Sequence, residues 1–181
     1  MEKKSNIGMS YGLMAGLALV VFLVLMYLGG IEAFLSPAAW LGYVIIITFA
    51  VLAGLKQRKV NGGYLEFSQA LKVTFTVFAL GFLLQTLFSY VLFNYIDVSF
   101  REALTQRTME KTEEMLRNFG ASEDTIEQTI AGASNTNSYS IGNQLLGYGV
   151  MCIIFFIISL IISAIIKRSR PAFDNSFNNP A

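Results

Sequence analysis

The sequence predicts an all-α, polytopic membrane protein. Four transmembrane helices form an up-down bundle, and an extra-membrane helical segment lies between the third and the fourth. Three observations predict this. Of 181 residues, 54% are hydrophobic and only 14% charged, against roughly 25% charged in an average soluble domain. The apolar residues gather in four stretches, 9–30, 37–55, 70–96 and 141–166, which contain one charged side chain, Lys72. The main charged segment, 97–140, falls between the last two. A helix in a soluble core keeps a wet face, and these stretches have none.

Each stretch reaches, or nearly reaches, the ~20 residues a helix needs to cross ~30 Å of hydrocarbon. Barrel strands would alternate polar and apolar residues, and these runs do not. In lipid every backbone amide must be satisfied internally, which leaves helix. The first span follows Lys3 and Lys4, as a signal peptide would. Its apolar run from Leu13 to Gly29 exceeds the usual ~7–15 residues and lacks an A-x-A site, so a retained helix is expected. Gly29-Gly30 ends it. Ser36-Pro37 starts the second span, with Ser as cap and Pro in the first turn. The short connection makes the first two spans antiparallel neighbours. Gly62-Gly63 breaks the next loop, Ser68 caps the third span and Ser140 the fourth. The whole chain, 1–181, reads as one membrane domain with a tail at 167–181.

Basic residues set the orientation. Lys3, Lys4, Lys56, Arg58, Lys59, Lys167, Arg168 and Arg170 share one side if four helices cross in turn. The other side has Arg101, Arg107, Lys111 and Arg117, all in the long loop. The positive-inside rule then places both termini in the cytoplasm. Lys72 snorkels toward that side. Trp40, Tyr43, Tyr95 and Tyr139 fall where an outer aromatic belt would lie.

The missing residues exclude chemistry. There is no histidine, so Ser-His and Cys-His pairs and HExxH zinc sites are absent. The spans contain no Asp or Glu, which excludes an intramembrane aspartyl protease. Cys152 is alone and reads as a small packing residue. No phosphate-binding glycine loop occurs. A net charge of +1 gives no reason to expect nucleic acid. No catalytic, metal or cofactor residue is assigned, and the chain is expected not to be an enzyme.

The segment 97–140 holds eight acids against four bases, a net charge of −4. Ser99-Phe100-Arg101-Glu102 reads as a capping box for a helix running to Asn118 and stopped by Gly120. Ser122 caps a shorter helix that Gly132 ends. The run 134–140 is a polar linker into the fourth span. Apolar positions are few: Leu104, Met115, Leu116, Phe119, Ile126 and Ile130. Two such helices are marginal alone. They are expected to rest on each other, on the membrane surface or on a partner. Glu110, Glu113 and Glu114 lack the spacing of a calcium loop and have basic neighbours, so ion pairing is the simpler reading.

Small residues mark helix packing. Gly8, Gly12 and Gly16 form GxxxGxxxG in the first span; Ser159 and Ser163 stand four apart in the fourth. Such stripes serve packing within the chain or a homodimer seam. Thr74, Gly81, Gln85 and Ser89 share one face of the third span. Gln144, Tyr148, Cys152, Ser159 and Ser163 form a similar stripe on the fourth. Gln85, Ser89 and Gln144 are the polar residues that either hydrogen-bond across the bundle or line a narrow path. No ionisable group and no inverted repeat accompanies them, which favours packing over transport.

The run Gly62-Gly63-Tyr64-Leu65-Glu66-Phe67-Ser68-Gln69-Ala70-Leu71-Lys72, with Tyr95-Ile96-Asp97 beyond it, resembles an uncharacterised family. Its members are small four-helix integral membrane proteins of bacteroidete bacteria, known as a domain of unknown function. The resemblance covers nearly the whole chain and rests on the order and spacing of these pieces. It implies a bacterial inner-membrane location, and no activity or catalytic residue. The expected role is a structural or accessory protein whose periplasm-facing helices meet a partner. The alternative is a small transporter or channel using the polar faces of the third and fourth spans. Expected partners are the lipid bilayer and either another membrane protein or a second copy.

Overall fold

The computed structural model describes residues 6–134 and 138–169. Lys3, Lys4, Arg170, most of the 167–181 tail and the middle of the 134–140 linker lie outside them. Among the described residues there are seven α-helices and no strands. Four of the helical segments are long and apolar enough to cross a membrane: Ile7–Leu28, Pro37–Val60, Phe67–Ile96 and Ile141–Ile166.

Helix α1 spans Ile7–Leu28 and starts two residues before expectation, because Asn6 Oδ1 accepts from the Met9 amide. Gly29 and Gly30 end it, with Gly30 at φ +81°, a conformation that suits a residue without Cβ. A four-residue helix α2, Ile31–Phe34, follows. Ser36 does not cap the next helix. Its hydroxyl turns back and donates to Ala33 O at 2.7 Å. Pro37–Trp40 form a 3₁₀ turn that leads into α3, Leu41–Val60. Helix α3 outlasts the apolar stretch, and its last turn carries Arg58 and Lys59, cations at the negative end of the helix dipole.

Gly62 and Gly63, both at positive φ, reverse the chain. Helix α4 spans Phe67–Val91. Ser68 sits inside its first turn, and Glu66 holds the cap position without a side-chain bond. A π turn at Leu92–Ile96 extends it, closed by Asp97 N donating to Leu92 O at 2.8 Å. Helices α5 (Val98–Asn118) and α6 (Glu123–Ser134) come next. Helix α7, Ile141–Ile166, has the predicted limits, and Ser140 Oγ caps it through the Asn143 amide. Gly132 does not end α6. It stays helical, whereas Gly120, at positive φ, turns the chain after α5 as expected.

Helix α4 is the hub, touching α1, α3 and α7, while α1 and α3 also meet. Small residues make the close approaches. Gly8 faces Thr76, Gly12 faces Leu80 and Gly16 faces Leu84. Gly81 returns the favour against Ala15 of α1, so it leaves the polar stripe assigned to it. Gly54 of α3 meets Ile166 of α7. The Phe78 and Phe155 rings stack at 4.8 Å across α4 and α7. The interior combines Leu19, Ile46, Phe78 and Phe155 with the small or mildly polar Ala15, Ala50, Ala53, Thr74, Ser159 and Ser163, while Leu17, Val21, Leu25, Ile153, Ile161 and Ile165 point outward. A soluble bundle would not leave so many aliphatic side chains uncovered. Large exposed aliphatics around small, mildly polar contacts are what a multi-pass membrane protein presents to lipid.

Thr74 Oγ1 and Ser163 Oγ, both buried, lie 3.3 Å apart. Ser159 Oγ is also buried but meets no partner among the described residues. Removing each hydroxyl therefore has a different result. Ser163→Ala should lose about 0.6 kcal/mol, the usual worth of such a contact in a membrane protein. Ser159→Ala should be neutral or stabilising by up to about 1 kcal/mol, since an unsatisfied polar atom is removed. Thermal unfolding in detergent checks both. An equal loss in the two variants would mean that Ser159 has a partner.

Candidate functional site: the α5 junction and the cavities beside Gln85

Helix α5 is anchored to the bundle. Asp97 supplies the anchor twice: Oδ1 accepts the Phe100 amide at 2.8 Å, and Oδ2 accepts the Tyr27 hydroxyl at 2.8 Å. Asp97 is therefore the N-cap that Ser99 was expected to be. A carboxylate already held by Tyr27 and reaching back from the π turn makes the stronger, charge-assisted bond. Glu102 is not part of a capping box; it pairs with Arg101 at 3.4 Å. Asn94 ties three elements together. Its amide donates to Tyr90 O and Tyr139 O at 3.0 Å, and its oxygen accepts from Arg101 at 3.1 Å. Tyr139 packs its ring against Phe93. Trp40 and Tyr95 do remain exposed.

An apolar cluster backs these bonds. Leu23, Leu92, Phe93 and Leu104 are buried together, and Tyr27, Phe34, Phe88, Phe100 and Tyr139 pack on them. Further along α5, Arg107 and Lys111 both bind Glu32 of α2, at 3.0 and 3.1 Å. Glu110 and Glu113 are taken by Arg107 and Arg117, as ion pairing requires. Arg117 also reaches Glu123 and ties α5 to α6. Ile126 is buried, whereas Met115 and Phe119 stay exposed at 51% and 81%.

Two carboxylates of the α5 anchor are held below their ordinary pKa values. The Phe100 amide, then the Tyr27 hydroxyl, hold Asp97 below its ordinary value of 3.8. Hydrogen bonds from Arg107, then Lys111, hold Glu32 below 4.5. A carboxylate depressed in the folded state stabilises it fully above its ordinary value and loses that contribution as pH falls through the folded one. Hydrogen-exchange protection of α5 amides, corrected for intrinsic rates, should therefore hold at neutral pH. It should fall below about pH 4, before that of α4.

The predicted polar face is partly assembled. Gln85, Ser89 and Gln144 line one cavity of about 290 Å³ between α4 and α7, with Thr86, Asn143 and Tyr148. Gln144 Nε2 is buried there without a partner among the described residues. Tyr148 closes one wall by donating to Ala79 O at 3.0 Å. On the other side of α4 a second cavity, about 300 Å³, is walled by Phe22, Trp40, Tyr43, Gln85 and Phe155. Phe82 and Gln85 border both cavities. Cys152 is a half-buried free thiol. Ser159 and Ser163 lie deep in the bundle, away from these spaces. Gly8, Gly12 and Gly16 are covered by α4, so the seam they form is filled within the chain.

Sequence reading missed Tyr27, Asn94 and Glu32. Tyr27 and Glu32 stand alone in apolar surroundings, and that isolation was the available signal. No curated protein and no solved structure matches the chain. A family of proteins of unknown function, DUF4199, matches residues 10–168, and the chain belongs to it.

Proposed function

We propose that this is a non-enzymatic, four-pass protein of the bacterial inner membrane, in the bacteroidete group, whose segment 97–140 is a docking element on the periplasmic side. Helix directions that alternate up and down support the threading: Gly8, Gly12 and Gly16 climb with Thr76, Leu80 and Leu84, while Phe155 and Ser163 descend past Phe78 and Thr74. The distribution of Lys and Arg supports cytoplasmic termini. The observation that carries the role is the held α5. Tyr27, Asn94 and Glu32 fix its base, yet Met115 and Phe119 are left uncovered at its far end. A pre-positioned helix with an exposed aromatic tip, next to the acidic first turn of α6, suits a protein partner.

A photo-crosslinker at position 119 in native membranes tests this. A discrete protein adduct, absent from the same probe at Leu17, is expected. Equal, diffuse labelling from both positions would refute it. Cysteine labelling at positions 62 and 125 should show opposite sidedness.

A second reading is favoured by the two cavities that meet at Phe82 and Gln85. In it, Gln85 gates a narrow path for a small neutral solute. Gln85→Leu should then abolish flux in reconstituted vesicles, a loss of at least about tenfold. Full flux in that variant would remove the reading.

A further inference from the structure

The two ends of the bundle treat their cations differently. At the α5 end Arg101, Arg107, Lys111 and Arg117 all sit in ion pairs. At the other end Lys56, Arg58, Lys59, Lys72, Lys167 and Arg168 have no acid within ion-pair distance among the described residues. Glu66 is the one described acid there, exposed and also unpaired. Among the described residues of this end, six cations stand against one acid, an excess of five positive charges.

The same end carries an open cavity of about 780 Å³. Its walls are fixed. Leu65 and Arg168 exchange backbone hydrogen bonds of 2.9 and 2.8 Å, which fastens the exit of α7 to the entrance of α4. The Asn61 side chain links Gln57 and Gln69 at 3.0 and 2.9 Å along another wall. Asn61, Glu66, Gln69, Arg168 and Ser169 make the lining polar, while Val60 edges it and is exposed at 64%. Exposed apolar surface continues from there down α3 and α4, through Leu52, Leu55 and Phe67.

We propose that this cleft binds the headgroup of a monoanionic phospholipid. The lipid phosphate sits against Arg168, headgroup hydroxyls meet the amides of Asn61 and Gln69, and the acyl chains follow the exposed faces of α3 and α4. Three features select this ligand. The described cations outnumber the described acids, so an anion is attracted. A polar cleft bordered by apolar helix faces matches a molecule with both characters. Glu66 in the wall disfavours a second headgroup charge. The volume is in the range of small-molecule sites, about 300–1,000 Å³. The inference rests on the membrane reading above, in which this end faces the leaflet rich in anionic lipid.

The test uses the purified full chain in mild detergent and native mass spectrometry. Phosphatidylglycerol and phosphatidylcholine with identical acyl chains are the probes. Phosphatidylglycerol should be retained at least about fivefold better, and Arg168→Gln should cut that preference about fivefold, the usual effect of one interfacial cation. The bridge to Leu65 is made by backbone atoms, so this variant keeps the cleft. Arg107→Gln, at the opposite end, should leave the lipid preference unchanged, whatever it does to the hold on α5. Equal retention of the two lipids, or an unchanged preference in Arg168→Gln, overturns the proposal. Displacement of the lipid by millimolar inorganic phosphate also overturns it, in favour of a soluble anion. Release of the chain from membranes by alkaline carbonate would instead overturn the membrane reading itself. A chain that stays embedded but shows no lipid preference removes this site alone.

Discussion

Gly16→Leu should unfold the bundle in detergent or lower its stability by about 3 kcal/mol or more, and Gly12→Leu/Gly16→Leu together should yield no folded protein. A Cβ at Gly16 would stand 2.5 Å from Leu84 Cδ1 and 2.9 Å from Leu84 Cβ. The second distance decides the outcome, because a Cβ moves only if its backbone moves. At Gly12 the Leu80 Cβ is 3.0 Å away, and Gly81 is already against Ala15. Helices α1 and α4 therefore have no slack along three turns. In lipid this contact has no hydrophobic driving force behind it, so close van der Waals packing supplies most of what holds the pair. Leu17→Ala, on the outward face, should cost far less, since lipid replaces what is removed. Thermal unfolding and size-exclusion profiles check the result. A Gly16→Leu protein that melts normally but passes from dimer to monomer would restore the glycine stripe as a seam between copies.

Phe100→Ala should release α5 while leaving the membrane-spanning helices folded. The ring lies 4.9 Å from that of Tyr27, 5.6 Å from Phe34 and 6.0 Å from Phe93, so one side chain joins α1, α2 and the π turn. Its removal should cost about 3 kcal/mol of docking energy, through lost burial and lost edge-to-face contacts. That corresponds to roughly a hundredfold rise in the open population. Trypsin sites at Arg107, Lys111 and Arg117 should be cut about a hundred times faster, with the same melting transition for the bundle. The crosslink from position 119 should weaken in parallel, because an undocked helix no longer presents its tip in one place. Unchanged cleavage would mean that the bonds of Asp97, Asn94 and Glu32 hold α5 without the aromatic cluster.

Local chemistry was legible in the sequence. The continuous apolar runs specify four long helices, and Ser140 caps α7 as its position requires. Gly29-Gly30, Gly62-Gly63 and Gly120 turn the chain where a missing Cβ makes that easy. Ser36, Ser68 and Ser99 misled because a serine followed by helix formers is a cap only if nothing better is near. Ser36 bonded backward, Ser68 was drawn into the first turn, and Asp97 displaced Ser99. The marginal look of α5 was equally local. Its stabilising partners, Tyr27 and Glu32, are 70 to 79 residues away along the chain.

By itself, then, the sequence determined the number of long apolar helices, their ends to within a few residues, and the uneven placement of charge. Those properties depend on composition and on neighbours three or four residues apart. The tertiary structure alone decided that α4 is the hub, that the glycines of α1 are consumed inside the chain, and that Gln85 sits between two cavities. It also decided that, among the described residues, the cations of one end are ion-paired while those of the other are not. Each of these is a pairing between distant segments, set by which faces fit most closely, and no local pattern encodes that choice.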